Sequence, residues 1–175
     1  MRLLILYILF VLFSIPLAQA KDSDCAEERG AVRTKACTKI IESKLLFGKD
    51  ISNNKLALVY LHRGYSYSSQ NLHEKALSDY DQSIRLDTKN KDVYLARGTI
   101  YGVKKLFDKA ISDYTQAIRL DPKFTVAYYN RGLEYMEKYL YEQALSDFNQ
   151  AIQLAPNISI FKSARDRALN KLKNK

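Results

Sequence analysis

The residues best suited to chemistry recur at a fixed interval. Arg63, Arg97 and Arg131 are spaced by 34 residues, and Asp79, Asp113 and Asp147 follow them at the same spacing. A row of arginines could hold an anion. Their shared register argues for another role: each Arg sits beside a glycine and each Asp beside an aromatic residue, the arrangement expected of ion pairs between stacked helices. The planar guanidinium fork suits a partly buried carboxylate. The two histidines, His62 and His73, stand at no ligand spacing from each other or from a cysteine. His73 occupies the place of Phe107 and Tyr141, which makes it a packing ring. No G-x-S-x-G, H-E-x-x-H, P-loop or dinucleotide-binding glycine pattern occurs. No catalytic residue, metal site or cofactor is expected, and the chain does not read as an enzyme.

The cysteines and the first twenty residues belong together. Arg2 precedes an apolar run over 3–15, Pro16 breaks it, and Ala18-Gln19-Ala20 is an A-x-A cleavage site. The run is short of the ~20 residues of a spanning helix, so cleavage before Lys21 is expected, with no stable membrane insertion afterwards. The expected location is the periplasm or the medium. Cys25 and Cys37 would both meet an oxidising compartment, where a disulfide is the default. On one straight helix they would lie ~18 Å apart, too far to bond. The chain must therefore turn back between them, and Gly30 is the place where it can.

The 34-residue interval extends well beyond the charged pairs. Gly64, Gly98 and Gly132 each sit in a Tyr-x-x-Arg-Gly-x-x-Tyr frame, whose first residues are Tyr60, Tyr94 and Tyr128 and whose last are Tyr67, Tyr101 and Tyr135. Ala76, Ala110 and Ala144 follow, then Tyr80, Tyr114 and Phe148, then Ile84, Ile118 and Ile152, with Thr88, Pro122 and Pro156 closing the units. With positions counted from Ala57, Lys91 and Thr125, residues 4, 8 and 11 share one face of a first helix. Residues 20, 24, 27 and 28 share one face of a second. Scarce glycine and proline, 6 and 3 in 175 residues, also favour helix. One hairpin cannot bury both its faces, so neighbours must stack.

This pattern closely resembles the tetratricopeptide repeat, with its small residue at position 8, Ala at 20, aromatic at 24 and Pro at 32. Ser83 at position 27 and Thr88 at position 32 of the first unit depart from it. The resemblance implies an all-α fold, a right-handed α-solenoid of stacked helix-turn-helix hairpins. The chain then divides into a signal peptide (1–20), an N-terminal half-repeat with disulfide and loop (21–56), repeats at 57–90, 91–124 and 125–158, and a capping helix (159–175). The segment around Cys37 resembles a second helix, with Cys37 in the place of Tyr80, and Leu46 to Asn54 reads as a loop. In the capping helix Phe161, Ala164, Ala168 and Leu172 form an apolar stripe.

The resemblance further implies a concave groove lined by positions 2, 5, 9 and 12 of the first helices. Here these are Leu58, Leu61, Tyr65, Leu95, Thr99, Val126, Tyr129, Leu133 and Met136. Some family members grip a C-terminal carboxylate with Lys and Asn at positions 5, 6 and 9. Leu61, His62, Tyr65, Leu95, Ala96 and Thr99 replace that clamp, and only Asn130 matches in type. The expected partner is a protein or peptide with an apolar helix or extended segment. Much of the surplus behind the formal charge of +9 sits in the last fourteen residues, within the capping helix, where Lys162, Arg165, Arg167, Lys171, Lys173 and Lys175 face a single Asp166. Export makes nucleic acid the least fitting partner for that surplus; an envelope-assembly role through this helix, or a homo-oligomer, is the alternative reading.

Overall fold

A computed structural model describes Cys25, residues 30–47 and residues 51–174. Among these residues the chain forms eight helices and no strand: α1 (Gly30–Phe47), α2 (Asn53–Ser69), α3 (His73–Leu86), α4 (Lys91–Val103), α5 (Phe107–Leu120), α6 (Thr125–Glu137), α7 (Tyr141–Leu154) and α8 (Ser159–Lys173). The expected signal segment, 1–20, lies outside the described residues.

Local sequence sets the helix ends. The Ser52 hydroxyl accepts from the Lys55 N–H at 3.4 Å, and the Asn90 side chain accepts from the Asp92 N–H at 2.9 Å, capping α2 and α4. The first helix of every repeat stops in the same way. Asn71, Lys105 and Tyr139 take left-handed φ of 58°, 57° and 59°. The next N–H, of Leu72, Leu106 or Leu140, then bonds back to Tyr67, Tyr101 or Tyr135 at 2.8–2.9 Å. This closure reverses the chain and satisfies carbonyls that the helix end would otherwise leave free. The loop expected over Leu46 to Asn54 is shorter: α1 runs on to Phe47, and Ser52 caps a helix that already contains Asn53 and Asn54.

Each hairpin closes around its glycine. A Cβ at Gly98 would stand 2.8 Å from Cε1 of Tyr114, and one at Gly132 would stand 2.6 Å from Cε1 of Phe148. Only a residue without a side chain lets the ring lie flat against the opposing backbone. Each helix packs on its chain neighbours, and α2, α4, α6 and α8 also touch in sequence, whereas α3, α5 and α7 do not touch one another. First helices therefore line the inner side of an α-solenoid and second helices splay on the outer side. Ser83, where the later repeats have Ala117 and Ala151, donates to the Ala57 carbonyl at 2.8 Å and so remains satisfied while fully buried.

Cys25 and Cys37 form a disulfide with their Cα atoms 4.9 Å apart, and Gly30 between them has φ of 60°. Both cysteines pack with Ile40 and Val59, so Cys37 fills the space that an aromatic ring fills elsewhere. At the other end Phe161, Ala164 and Ala168 are buried against α7 and α6. The face of α8 that would receive a further second helix carries exposed Lys162, Asp166 and Leu169 in place of Tyr, Gly and Tyr. That substitution leaves a solvated end to the stack.

Candidate functional site

The arginine row is fully engaged in the fold. Nε and Nη2 of Arg63, Arg97 and Arg131 each donate to the two carboxylate oxygens of Asp79, Asp113 and Asp147, all at 2.7–2.8 Å. The remaining Nη1 reaches the preceding repeat, to Thr38 at 3.1 Å, Asp81 at 2.6 Å and Thr115 at 2.9 Å. Each guanidinium also stacks between two tyrosines of its own helix, 5.5–5.9 Å from their centroids. Hydrogen bonding to Asp113 and Asp147 raises Arg97 and Arg131 above the ordinary guanidinium value. All three nitrogens of each guanidinium are thus committed to contacts within the fold. The row welds first helix to second and each repeat to the one before.

The concave side divides differently. Leu58 and Val126 are each 45% exposed and Thr99 is exposed, while Tyr65 and Leu95 are half-buried against the central core. Leu61, expected among the lining, is only 3% exposed; it is a core residue clustered with Val93 and Ala96 of α4. Tyr129, Leu133 and Met136 are half-buried as well, because α8 packs over that end of the groove. The Tyr129 ring lies 5.0 Å from Phe161 and 6.0 Å from Phe148. The capping helix thus covers part of the lining that the repeat register assigns to the groove.

Between α4 and α6 the apolar wall is interrupted. The Tyr114 hydroxyl lies 3.5 Å from the Thr99 hydroxyl and within bonding reach of the Asn130 side chain. Burial pushes that phenol up to about 12, and the charge of Glu134 adds to the shift. Glu134 itself is half-buried and fills the room left by Gly102. Burial, then the charge of Glu137, raises its carboxyl above the ordinary carboxylate value. Among the described residues nothing bonds or pairs with that carboxylate. Sequence reading passed over Glu134; the signal was a charge at position 10, where the other helices carry Ser66, Ile100 and Ala168, all buried. At the N-terminal end of the groove, burial pushes Tyr65 up to about 12, with Asp92 contributing, and burial followed by Arg33 lowers His62. His73 is half-buried at the start of α3, in the packing position.

Among the described residues no group of three or more His, Cys, Asp or Glu could hold a metal ion, and no helix is long and apolar enough to cross a membrane.

Models of the tetratricopeptide repeat match residues 57–90, 92–124 and 125–158, more than half of the chain. No curated protein matches the sequence. Among solved structures, the fold is similar to the Arabidopsis OM64 TPR domain, at 28% identity and a TM-score of 0.64, covering 66% of this chain and 96% of that one. It is similar also to the first TPR of Spaghetti (RPAP3) bound to the HSP90 peptide SRMEEVD, at 26% identity and TM-score 0.67, covering 70% and 96%. A crystal structure of MamA shares the fold at 22% identity and TM-score 0.66, covering 81% and 83%. The register of glycine, alanine and aromatic residues, the stacked hairpins and these matches agree: the chain belongs to the tetratricopeptide-repeat family.

Proposed function

We propose that this chain is a non-catalytic binding module that captures a peptide segment of a partner protein in its concave groove, outside the cytoplasm. Tetratricopeptide-repeat domains mediate protein–protein interactions, and the first TPR of RPAP3 holds an HSP90 peptide. The observation that carries the reading is the apolar side chains at the lining positions of the inner helices: Leu58 and Val126 are nearly half exposed, and Tyr65 and Leu95 are half-buried. Exposed apolar surface of this kind, framed by aromatic side chains, favours a docking partner. The lysines and asparagines of a carboxylate clamp are missing from positions 5, 6 and 9 of the first two repeats, so an internal apolar segment fits better than a free C-terminus.

The export segment and the Cys25–Cys37 bond support a place in the periplasm or the medium. Protein recovered from outside the cytoplasm is expected to begin at Lys21 by intact-mass measurement; a retained Met1 removes this part of the proposal.

Selection of random twelve-residue displayed peptides on the purified oxidised protein tests the groove. Bound peptides should be lost from the Leu58→Lys/Val126→Lys variant, which replaces two exposed residues and leaves the melting temperature unchanged. Equal binding by that variant places the site elsewhere. The alternative location is α8 with its N-cap Ile158, where Ile158, Ile160 and Leu169 are 44%, 52% and 37% exposed among basic side chains. Binding there, to an envelope component or a second copy, would weaken steeply with salt.

A further inference from the structure

The strongest unexplained feature outside the fold-forming contacts is the pair Gly102 and Glu134. Gly102 has ordinary helical φ, so its conformation does not call for glycine. Repeats 1 and 3 carry Ser68 and Met136 at the same position, so the repeat does not require it either. What the missing side chain provides is room. A Cβ there would collide with the Glu134 carboxylate, which therefore lies against the bare backbone of α4. Glu134 in turn occupies a position that is buried and uncharged in each of the other three inner helices.

A half-buried carboxylate with no cation is unfavourable, because it loses hydration without gaining a partner. The groups around it do not compensate. Glu137 on its own helix repels it, and the Tyr114 hydroxyl from α5 is directed at Thr99, 3.5 Å away, and makes no bond to the carboxylate. The result is a notch in the apolar wall, with an anionic oxygen flanked by neutral hydroxyl and amide oxygens that can accept hydrogen bonds. An ammonium or guanidinium group fits this chemistry, having several donors and no acceptor. A carboxylate ligand would be repelled.

We infer that the notch formed by Gly102, Glu134, Tyr114, Thr99 and Asn130 selects partner peptides that set a lysine or arginine side chain among apolar residues. The inference rests on the groove reading above and specifies its ligand. Apolar residues of the peptide meet Leu95 and Leu133, and the cationic side chain enters between α4 and α6.

The test is the same random twelve-residue display carried out in parallel on the wild type and on Glu134→Gln, which keeps the shape and removes the charge. Wild-type selection should enrich one Lys or Arg within an apolar motif, and the Glu134→Gln selection should keep the apolar motif without the basic residue. The best wild-type peptide, synthesised with that lysine replaced by norleucine, should bind wild type about tenfold more weakly or worse. The same replacement should change binding to Glu134→Gln less than about threefold. Apolar motifs without a basic residue, or an equal loss on both proteins, would overturn the notch while leaving the groove intact. Peptides that still bind Leu58→Lys/Val126→Lys would overturn both. Self-association of the wild type that Glu134→Gln abolishes would assign the notch to a second copy of the chain and overturn its assignment to a partner peptide.

Discussion

The guanidinium of Arg97 and the carboxylate of Asp113, sixteen residues apart, form two parallel hydrogen bonds of 2.8 and 2.7 Å between α4 and α5, and the third arm of the same fork reaches Asp81 of the preceding repeat. One side chain thus holds a hairpin shut and fixes its stacking. The Asp113 side chain is only 7% exposed, so it cannot recover water if the arginine is lost. Arg97→Ala should cost roughly 3–5 kcal/mol, the usual penalty for stranding one partner of a buried pair. Arg97→Lys should restore only part of this, because an ammonium cannot form the fork. Chemical denaturation checks both, and peptide binding by the folded fraction of either variant should stay near wild type. Unchanged stability with lost binding would make the row a ligand site.

Two glycines in α4 should respond in opposite senses. At Gly98 an added methyl meets the buried Tyr114 ring and the Asp113 Cβ, neither of which has space to withdraw. Gly98→Ala should destabilise by about 1–3 kcal/mol or more, as overpacking does. At Gly102 the methyl meets only the end of a flexible glutamate that can swing into the groove. Gly102→Ala should therefore be neutral or stabilising by up to about 1 kcal/mol, the helix-propensity gain. Thermal melts of the two variants, run side by side, decide it; matching destabilisation would show that Glu134 is locked in place.

The contrast shows what the sequence discloses. Gly98 was legible because the same residue type returns at the same phase in three units, and the Arg–Asp pairs were legible for the same reason. The inter-repeat arm of each arginine was not, since its acceptors change type along the stack, a threonine hydroxyl at Thr38 and Thr115 but a carboxylate at Asp81. Leu61 reads as lining from register alone, yet α4 packs across it, and Phe161 does the same to Tyr129. Position within a repeat says which way a residue points; the neighbouring helix decides how much of it stays exposed. Glu134 and Gly102 were hidden because each breaks the pattern that made the rest readable.

The Cys25–Cys37 bond closes a short loop and stands in for the missing ring at the N-terminal end. Reduction, or Cys37→Ser, should lower stability by about 3 kcal/mol, a figure that follows from loop-closure entropy in one model of disulfide action. The loss should appear first in α1, whose packing on α2 includes the cluster of both cysteines with Ile40 and Val59. Hydrogen exchange should show α1 opening under reductant while α4 to α7 stay protected. Uniform deprotection would mean that the N-terminal unit holds the entire solenoid together.

Glu134 makes a prediction about pH. Burial and Glu137 raise its folded carboxyl above the ordinary value, so the folded state binds this proton more tightly than the unfolded chain does. The sign follows by linkage: the favourable contribution is complete below the unfolded value of about 4.3 and is lost as pH rises through the higher folded value. At neutral pH the ionised carboxylate is therefore a burden on the fold. Glu134→Gln should melt higher than wild type at pH 7, and the difference should shrink toward zero as pH falls to about 4, where both side chains are neutral. The carboxylate is partly hydrated, so the gain should be modest. Groups that do not couple to Glu134 are common to the two proteins and cancel in the difference; Glu137, which repels it, is relieved in the variant and adds in the same direction. A variant that melts lower at pH 7 would mean that Glu134 already has a stabilising partner in the free protein, and the notch would then have no unsatisfied charge with which to select a lysine or arginine.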